Sequence, residues 1–265
     1  MKALDYPVTY GPFLERLASA PARILLLDYD GTLAPFQIDR SQAVPYPEVL
    51  PLLGQIMAQG TRVVLISGRA PHDLAALSRI QPRPEIWGSH GFEQLKPDGS
   101  YQAEALSHQH QSGLSLAARL LNSEGLEARI EVKTGGVAFH SRGLNAPEAE
   151  LITKKVRQLW QPLLAEFGLS LLEFDGGLEI RVPGRDKGFA IRAILAESVP
   201  DAAIAYLGDD RTDEDAFRAL NGRGLTVLVR PQYRPTAAEV WLQPPQELIQ
   251  FLEEWLRASG GKYEA

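Results

Sequence analysis

The stretch "RILLLDYDGTLAPF", residues 23–36, places an apolar run at 24–27 directly before two acids, Asp28 and Asp30. A continuous run of this kind is typical of a parallel strand that is covered on both faces of a sheet. In an extended backbone, residues two apart leave the chain on the same side. The stretch therefore predicts a buried strand that ends with two carboxylates directed at one point.

Other segments of the chain repeat this pattern of a buried strand followed by a helix. Further apolar runs lie at 63–66, 203–207 and 225–229, and helical patterns cover 47–59, 71–78, 187–197 and 213–220. Alternation of strand and helix predicts an α/β fold, a doubly wound parallel-sheet core with right-handed crossovers.

The middle of the chain has a different pattern. A helix at 111–122, a hairpin around residues 134–136, a helix at 147–167 and a hairpin around 176–177 follow one another. Alternation in "IEVK" and "LEIRV" favours sheets with one covered and one open face. We predict an inserted α+β cap domain at 109–182, with the catalytic core formed by 1–108 and 183–265.

Composition restricts the classes of function. The chain has 265 residues, 45% of them hydrophobic, no cysteine and a formal net charge of -6. Disulfides and thiol catalysis are excluded, and a nucleic-acid partner is disfavoured because such binding needs a basic face. "MKALDYPVTYGPF" lacks the apolar run of a signal peptide, and no window has the length of a membrane span. We expect a cytoplasmic monomer with neither nucleic-acid nor membrane partners.

Several polar residues follow the predicted strands and the start of one helix. Ser67, Gly68 and Arg69 follow the second strand, Asp209 and Asp210 follow a later one, and Lys187 opens a helix. Ligands of open parallel sheets bind at the carboxyl ends of the strands, so these residues are expected to converge with Asp28 and Asp30. Carboxylates that share a point need a cation, and Mg²⁺ with a substrate phosphate meets that need. The alternative is that the acids are helix caps or turn residues.

Phosphoryl transfer follows from this grouping. Asp28 ends the rigid strand and is the better candidate nucleophile, while Asp30 would act as acid and base. Donors to the phosphoryl oxygens would be Thr32, Ser67, the amides near Gly31 and Gly68, and Lys187 at a helix N-terminus. Ser67 could instead cap a helix. Asp209 is the natural third metal contributor, Asp210 would support it, and Asp213 would cap the helix or pair with Lys187.

The motifs "DYDGTL", "ISGR", "GRDKG" and "GDDRTDEDAF" resemble the four motifs of the haloacid dehalogenase (HAD) superfamily of phosphatases. Within it, "LDYDGTL", "GSHGFE" and "GDDRTDEDAF" resemble the trehalose-6-phosphate phosphatases. The resemblance implies Mg²⁺-dependent hydrolysis of trehalose 6-phosphate to trehalose and phosphate. It also implies Asp28 as nucleophile, Asp30 as acid/base, and Asp28, Asp30 and Asp209 around the metal. Ser67 and Lys187 would bind the phosphoryl group.

The same resemblance assigns sugar-binding residues to the cap: Glu131, Lys133, His140, Arg142 and Glu179. Their alternation on hairpin strands puts each pair on one face, although an exposed charged face is the alternative. His90 would line the cleft beside Arg69 or belong to a turn.

Other functions remain open at this point. Enzymatic alternatives are phosphatases of glucosylglycerol phosphate, mannosyl-phosphoglycerate or sucrose phosphate, and a phosphohexomutase. The non-enzymatic alternative is a degenerate regulatory or binding module.

Overall fold

The computed structural model describes residues 10–37 and 39–261. The prediction that the N-terminal segment is not a signal peptide falls largely on residues 1–9, which lie outside the described part of the chain. Of the helices that the structure describes, none combines the length and the apolar character needed to cross a lipid bilayer.

An eight-stranded sheet forms the core. Its strands are β1 (Arg23–Leu27), β2 (Arg62–Ile66), β3 (Glu85–Gly88), β4 (Glu93–Leu95), β5 (Tyr101–Ala103), β10 (Ala203–Gly208), β11 (Leu225–Val229) and β12 (Val240–Leu242). Their spatial order is β12-β11-β10-β1-β2-β3-β4-β5. The six strands from β12 to β3 are parallel, whereas β4 and β5 are antiparallel. Leu27 of β1 is in register with Leu207 and Leu65, so the carboxyl ends of the three central strands meet.

In the part of the chain that the structure describes, six helices accompany the core: α1 (Gly11–Ser19), α2 (Val49–Ala58), α3 (Pro71–Ser78), α6 (Lys187–Glu197), α7 (Glu214–Leu220) and α8 (Gln246–Ala258). Leu25 and Leu27 pack in a cluster with residues of α1, α2, α3 and α8. Ile24 and Leu26, which leave β1 on the other side, pack with α6 and α7. Helices therefore cover both faces of the sheet, which confirms the predicted doubly wound α/β core.

A second, four-stranded antiparallel sheet lies between β5 and α6 in the chain. Its strands are β6 (Ile130–Lys133), β7 (Gly136–His140), β8 (Ser170–Phe174) and β9 (Gly177–Arg181), in the order β6-β7-β9-β8. Val137, Phe139, Leu178 and Ile180 pack in one cluster with apolar residues of α4 (His108–Ser123) and α5 (Ala146–Phe167). We call these elements the cap. These elements span residues 108–181, and the predicted bounds of the cap domain were 109–182.

Some element boundaries differ from the prediction for local reasons. Helix α4 begins earlier than residue 111 because the Ser107 side chain caps it by accepting from the His110 N–H at 3.2 Å. Helix α7 begins later than residue 213 because a 3-10 turn, Arg211–Asp213, precedes it. The sequence analysis missed α1, α8 and the strands β3, β4, β5 and β12.

The packing of β1 leads to a stability prediction. Leu26 is fully buried, so Leu26→Ala is expected to lower the free energy of unfolding by about 3 kcal/mol through lost burial and a cavity. The same change at Leu151, which is 70% exposed on α5, should cost less than about 0.5 kcal/mol. Urea unfolding followed by circular dichroism measures both, and equal losses would contradict this description of the core.

Candidate active site

Asp28 is the first residue after β1. Its backbone N–H donates to the Leu207 carbonyl of β10 at 2.9 Å, which fixes the residue at the carboxyl edge of the sheet. Its Oδ1 accepts from Lys187 Nζ at 2.6 Å, and its Oδ2 accepts from Thr32 Oγ1 at 3.2 Å. The side chain is buried. Asp28 is thus held in one orientation, as a nucleophile requires.

Lys187 supplies a fixed positive charge beside Asp28. It is the first residue of α6, and Asp186 caps this helix by accepting from the Phe189 N–H at 2.6 Å. Burial alone would lower the pKa of Lys187, but Asp213, 2.7 Å away, and Asp28 outweigh burial and raise the pKa above its usual value. The ammonium group therefore stays charged inside the protein.

Asp213 organises the loop after β10. One carboxylate oxygen accepts from Lys187 and from the Tyr206 hydroxyl. The other accepts from the backbone N–H groups of Asp209 and Asp210, at 3.0 and 2.9 Å. With four donors, this carboxylate has little capacity left for a cation. Pairing with Lys187, one of the two roles predicted for Asp213, is present.

Asp209 has the features of a cation ligand. Oxygens of Asp28, Asp209 and Asp213 lie within 4.8 Å of one another. Oδ2 of Asp209 is buried and has no hydrogen-bond partner among the residues that the structure describes. Burial, then the nearby Asp28 and Asp213, raise the pKa of Asp209 well above its usual range. An all-oxygen donor set with excess negative charge fits a hard divalent cation such as Mg²⁺, held by Asp28 and Asp209.

The turn after Asp30 requires glycine. Gly31 has a φ of +89°, in the left-handed region. A side chain at this position would also overlap the Asp209 carboxylate. The glycine therefore allows the β1 loop to approach the β10 loop closely enough to group the acids.

The carboxylate of Asp30, which was predicted among the metal ligands, lies outside the group formed by Asp28, Asp209 and Asp213. Arg69 Nε and Nη2 donate to its two oxygens at 2.7 and 2.6 Å. Burial alone would raise the pKa of Asp30, but Arg69 outweighs it and lowers that pKa. The physical reason for the difference is that a bidentate guanidinium already balances this charge.

Ser67 and Gly68 follow β2 at the same edge of the sheet. The Ser67 hydroxyl accepts from the Arg69 N–H at 3.2 Å. The alternative that Ser67 caps α3 is wrong, because the N-cap residue is Ala70. His90 lies against Gly68, where a Cβ would contact its Nε2 at 2.6 Å, and its own φ of 55° places it in a turn. His90 thus fulfils both of its predicted descriptions, as a cleft residue and as a turn residue.

Glu179 and Lys133 form a buried pair on the face of the cap sheet opposite its helices. Lys133 Nζ donates to Glu179 Oε2 at 3.1 Å, and His90 Nε2 lies 3.4 Å from the same oxygen. The side chains of Glu179 and Lys133 are only 3% and 7% exposed, so the alternative of an exposed charged face is wrong for this pair. Burial alone would raise the pKa of Glu179, but Lys133 and His90 lower it below its usual range.

Glu131 and His140 lie on the same face, where Glu131 Oε2 is 3.1 Å from His140 Nε2. The core residue Arg40, which the sequence analysis missed, also donates to this oxygen. Burial first, then Arg40 and Lys133, lower the pKa of His140 to about 3, so the imidazole is neutral. The cap thus directs a group of charged and polar side chains at the carboxyl edge of the core sheet.

The turn between β8 and β9 contacts the core. The Asp175 N–H donates to Asp210 Oδ2 at 3.0 Å, and the Asp175 carboxylate pairs with Arg230 at 2.8 Å. Arg142 donates to the Asp175 carbonyl at 2.8 Å, and its guanidinium lies 4.2 Å from the centre of the Phe36 ring. Asp210 therefore links the cap to the loop that carries Asp209.

A cleft of about 70 Å³ lies between these groups. It brings together most of the predicted site residues: Asp28, Asp30, Ser67, Gly68, His90, Lys133, Arg142, Glu179, Lys187, Asp209 and Asp210. The cleft is also lined by Phe36, Arg40, Phe174 and Thr212, which the sequence analysis missed. Of these, Thr212 lies inside the "GDDRTDEDAF" motif and was open to prediction.

The sequence matches the family described as Trehalose-phosphatase over residues 26–244. The chain belongs to this family. A trehalose-phosphate phosphatase from Mycobacterium ulcerans is 33% identical over 250 residues, which are 88% of this chain and 61% of that relative. This member of the family thus spans about 61% of the length of that relative.

Solved structures confirm the predicted fold. The C-terminal domain of C. albicans trehalose-6-phosphate phosphatase superposes with a TM-score of 0.80 at 22% identity, covering 98% of this chain and all of that one. A phosphatase of the haloalkanoate (HAD) superfamily from Bacteroides thetaiotaomicron gives a TM-score of 0.60 at 19% identity, covering 95% of this chain and 98% of that one. The predicted resemblance to the trehalose-6-phosphate phosphatases is confirmed by the family match over residues 26–244.

The buried pair on the cap leads to a prediction about pH. The pKa of Glu179 is lower in the folded state, so its ionised form stabilises the fold above the ordinary pKa of glutamate, and this contribution is lost as the pH falls below that value. Glu179→Gln should lower the free energy of unfolding by about 2 kcal/mol at pH 7, and the difference from the wild type should narrow between about pH 5 and pH 3.

Urea unfolding across this pH range measures the difference. Glu173→Gln is the matched control, because Glu173 is exposed and its ion pair in the described part of the chain is a surface pair with Arg157. A gap between wild type and Glu179→Gln that stays constant from pH 7 to pH 3 would contradict the pKa assignment.

Proposed function

We propose that this chain is a Mg²⁺-dependent phosphatase that hydrolyses trehalose 6-phosphate to trehalose and phosphate. The observation that carries the proposal is the buried Asp28 carboxylate, held by Lys187 beside the unpartnered oxygen of Asp209. Membership of the trehalose-phosphatase family and the names of the relatives support the substrate.

In the first half of the reaction, an oxygen of Asp28 attacks phosphorus and the bond from phosphorus to the sugar oxygen breaks. The product is an aspartyl-phosphate on Asp28. Asp30 donates a proton to the leaving oxygen, which releases trehalose. For this step Asp30 has to carry a proton, so its pairing with Arg69, which favours the ionised form, has to be released first.

In the second half, water attacks the aspartyl-phosphate. Asp30 takes a proton from that water, phosphate leaves and the Asp28 carboxylate is restored. The pairing of Arg69 with Asp30 favours the ionised carboxylate that this step needs.

Positioning depends on the fixed cations and donors around Asp28. Lys187, which contacts Asp28, and the Ser67 hydroxyl would bind the phosphoryl oxygens. Mg²⁺, held by Asp28 and Asp209, would neutralise charge on the phosphoryl group when bound. The cap side chains Glu131, Lys133 and Glu179 would hold the sugar hydroxyls and exclude bulk water from the intermediate.

The complete set of groups around Asp28 disfavours a degenerate regulatory module. A module of that kind has no need of a buried lysine, an unpartnered metal carboxylate and a charged cap face together. A phosphohexomutase would keep its phosphoryl group rather than release it, so phosphate release separates that alternative from the proposal.

The proposal is tested by phosphate release from a panel of sugar phosphates with added Mg²⁺. The value of kcat/KM for trehalose 6-phosphate should exceed the values for sucrose phosphate and glucosylglycerol phosphate by about 100-fold, because unmatched hydroxyl contacts are strongly rejected. A chelator should lower the rate by about 100-fold or more, and excess Mg²⁺ should restore it.

The outcomes of the panel separate the two parts of the proposal. Preference for another sugar phosphate overturns the sugar assignment and leaves the reaction class intact. Release of no phosphate from any member overturns the enzyme assignment.

The nucleophile is tested by Asp28→Asn, which keeps the size of the side chain. Loss of the attacking oxygen should lower phosphate release by at least about 10⁴-fold. The matched control is Asp98→Asn, a change in an exposed turn where the Asp98 carboxylate accepts hydrogen bonds from Ser100. Circular dichroism verifies that both variants fold. Turnover by Asp28→Asn within tenfold of the wild type would refute the assignment.

A further inference from the structure

Arg40 is a core residue whose side chain reaches the cap. It begins a 3-10 turn, Arg40–Gln42, in the connection between β1 and α2. Asp39 fixes this turn by accepting from the Ser41 N–H at 2.9 Å. The guanidinium Nη1 donates to Glu131 Oε2 and lies 3.3 Å from His140 Nε2, both on the cap sheet. Arg40 thus belongs to the core, lines the cleft and contacts two of the predicted sugar-binding residues of the cap.

The contacts of Glu131 show an excess of donors at this point. Its Oε2 is shared by Arg40, by His140 at 3.1 Å and by Lys133 at 3.6 Å. Arg40 also has Nε and Nη2 protons, and among the described residues no group accepts them. Burial, followed by Arg69, lowers the pKa of Arg40 to about 10, so the guanidinium is still charged at neutral pH. Donors in excess of acceptors at a cleft wall fit a ligand that brings hydroxyl oxygens.

The backbone of the same turn reaches the partner of Asp30. The Arg40 carbonyl accepts from Arg69 Nη2 at 2.8 Å, and this nitrogen also donates to Asp30 Oδ1 at 2.6 Å. Contacts made by the Arg40 side chain are therefore connected, through one turn and one guanidinium, to the proposed acid/base.

We propose that Arg40 binds the hydroxyl groups of the leaving sugar together with Glu131, and that it is a specificity-determining residue contributed by the core. A guanidinium beside a carboxylate offers donors and acceptors to neighbouring hydroxyls at once. A small aryl phosphate has no such hydroxyls and makes no use of the pair. This inference rests on the proposed function, since it assigns one wall of the same substrate site.

The test compares two substrates, trehalose 6-phosphate and 4-nitrophenyl phosphate, in wild type, Arg40→Ala and Arg40→Lys. The ratio of kcat/KM for the sugar phosphate to that for the aryl phosphate should fall by about 30-fold or more in Arg40→Ala, mainly through a higher KM for the sugar phosphate. Arg40→Lys keeps the charge but not the planar fork, and should recover part of the ratio.

The matched control is Arg157→Ala on the cap, because the Arg157 side chain is 43% exposed and, among the described residues, pairs only with Glu173. Its ratio should stay within about twofold of the wild type. A purely structural role for Arg40 would lower kcat/KM for both substrates by the same factor. The ratio of the two values would then be unchanged, and this result would overturn the inference.

The failure of this inference is distinguishable from failure of the proposed function. A wild type that hydrolyses trehalose 6-phosphate, with an unchanged ratio in both Arg40 variants, overturns the Arg40 assignment alone. A wild type that releases no phosphate from trehalose 6-phosphate overturns the proposed function and this inference with it. Should Arg40→Ala fail to fold, an unchanged ratio in Arg40→Lys overturns the inference equally.

Discussion

The ion pair of Lys187 with Asp28 and Asp213, buried where β1 and β10 end, is the constraint on which the rest of the site depends. One ammonium group balances only one of these two carboxylates, and Asp209 adds a third within the same group. Uncompensated buried charge is strongly unfavourable, so the excess negative charge has to be balanced, either by a proton, as the raised pKa of Asp209 indicates, or by a further cation. The register of β1 with β10 and the start of α6 hold Lys187 and the acids together before any ligand binds. A phosphatase needs a preorganised site of this kind.

The core strands that were predicted from sequence are those whose pattern indicates burial on both faces of the sheet. Strands β1, β2, β10 and β11 carry continuous apolar runs, and helices α3 and α6 have the predicted bounds. The strands β4, β5 and β12 have three residues each, too few for any periodicity to develop. Strand β3 also carries Glu85, which is buried in an ion pair with Arg62. A charged residue interrupts the apolar pattern by which a buried strand is predicted. Helix α8 was predictable, because its apolar residues recur at 248, 251, 252, 255 and 256.

The residues of the candidate site likewise fall into some that the sequence pattern predicts and some that it does not. Residues inside the motifs, such as Asp28, Lys187 and Asp209, were predictable because strand ends in a parallel sheet meet at one edge. The pairing of Asp30 with Arg69 was not predictable, because it depends on the direction that the Arg69 side chain takes from the end of the neighbouring strand β2. Arg40 lay outside every motif, and its contact with the cap depends on how the core and the cap face each other. Sequence patterns report local geometry well and contacts between the core and the cap poorly.

The central claim is that Asp28 and Asp209 leave an excess of negative charge, which one divalent cation would balance. Isothermal titration of the wild type, of Asp209→Asn and of the surface control Asp98→Asn with Mg²⁺ tests this most directly. We predict one Mg²⁺ per chain for the wild type and the control, and no detectable binding for Asp209→Asn with its fold intact. Absence of Mg²⁺ binding to the wild type, or equal binding by Asp209→Asn, would contradict the account.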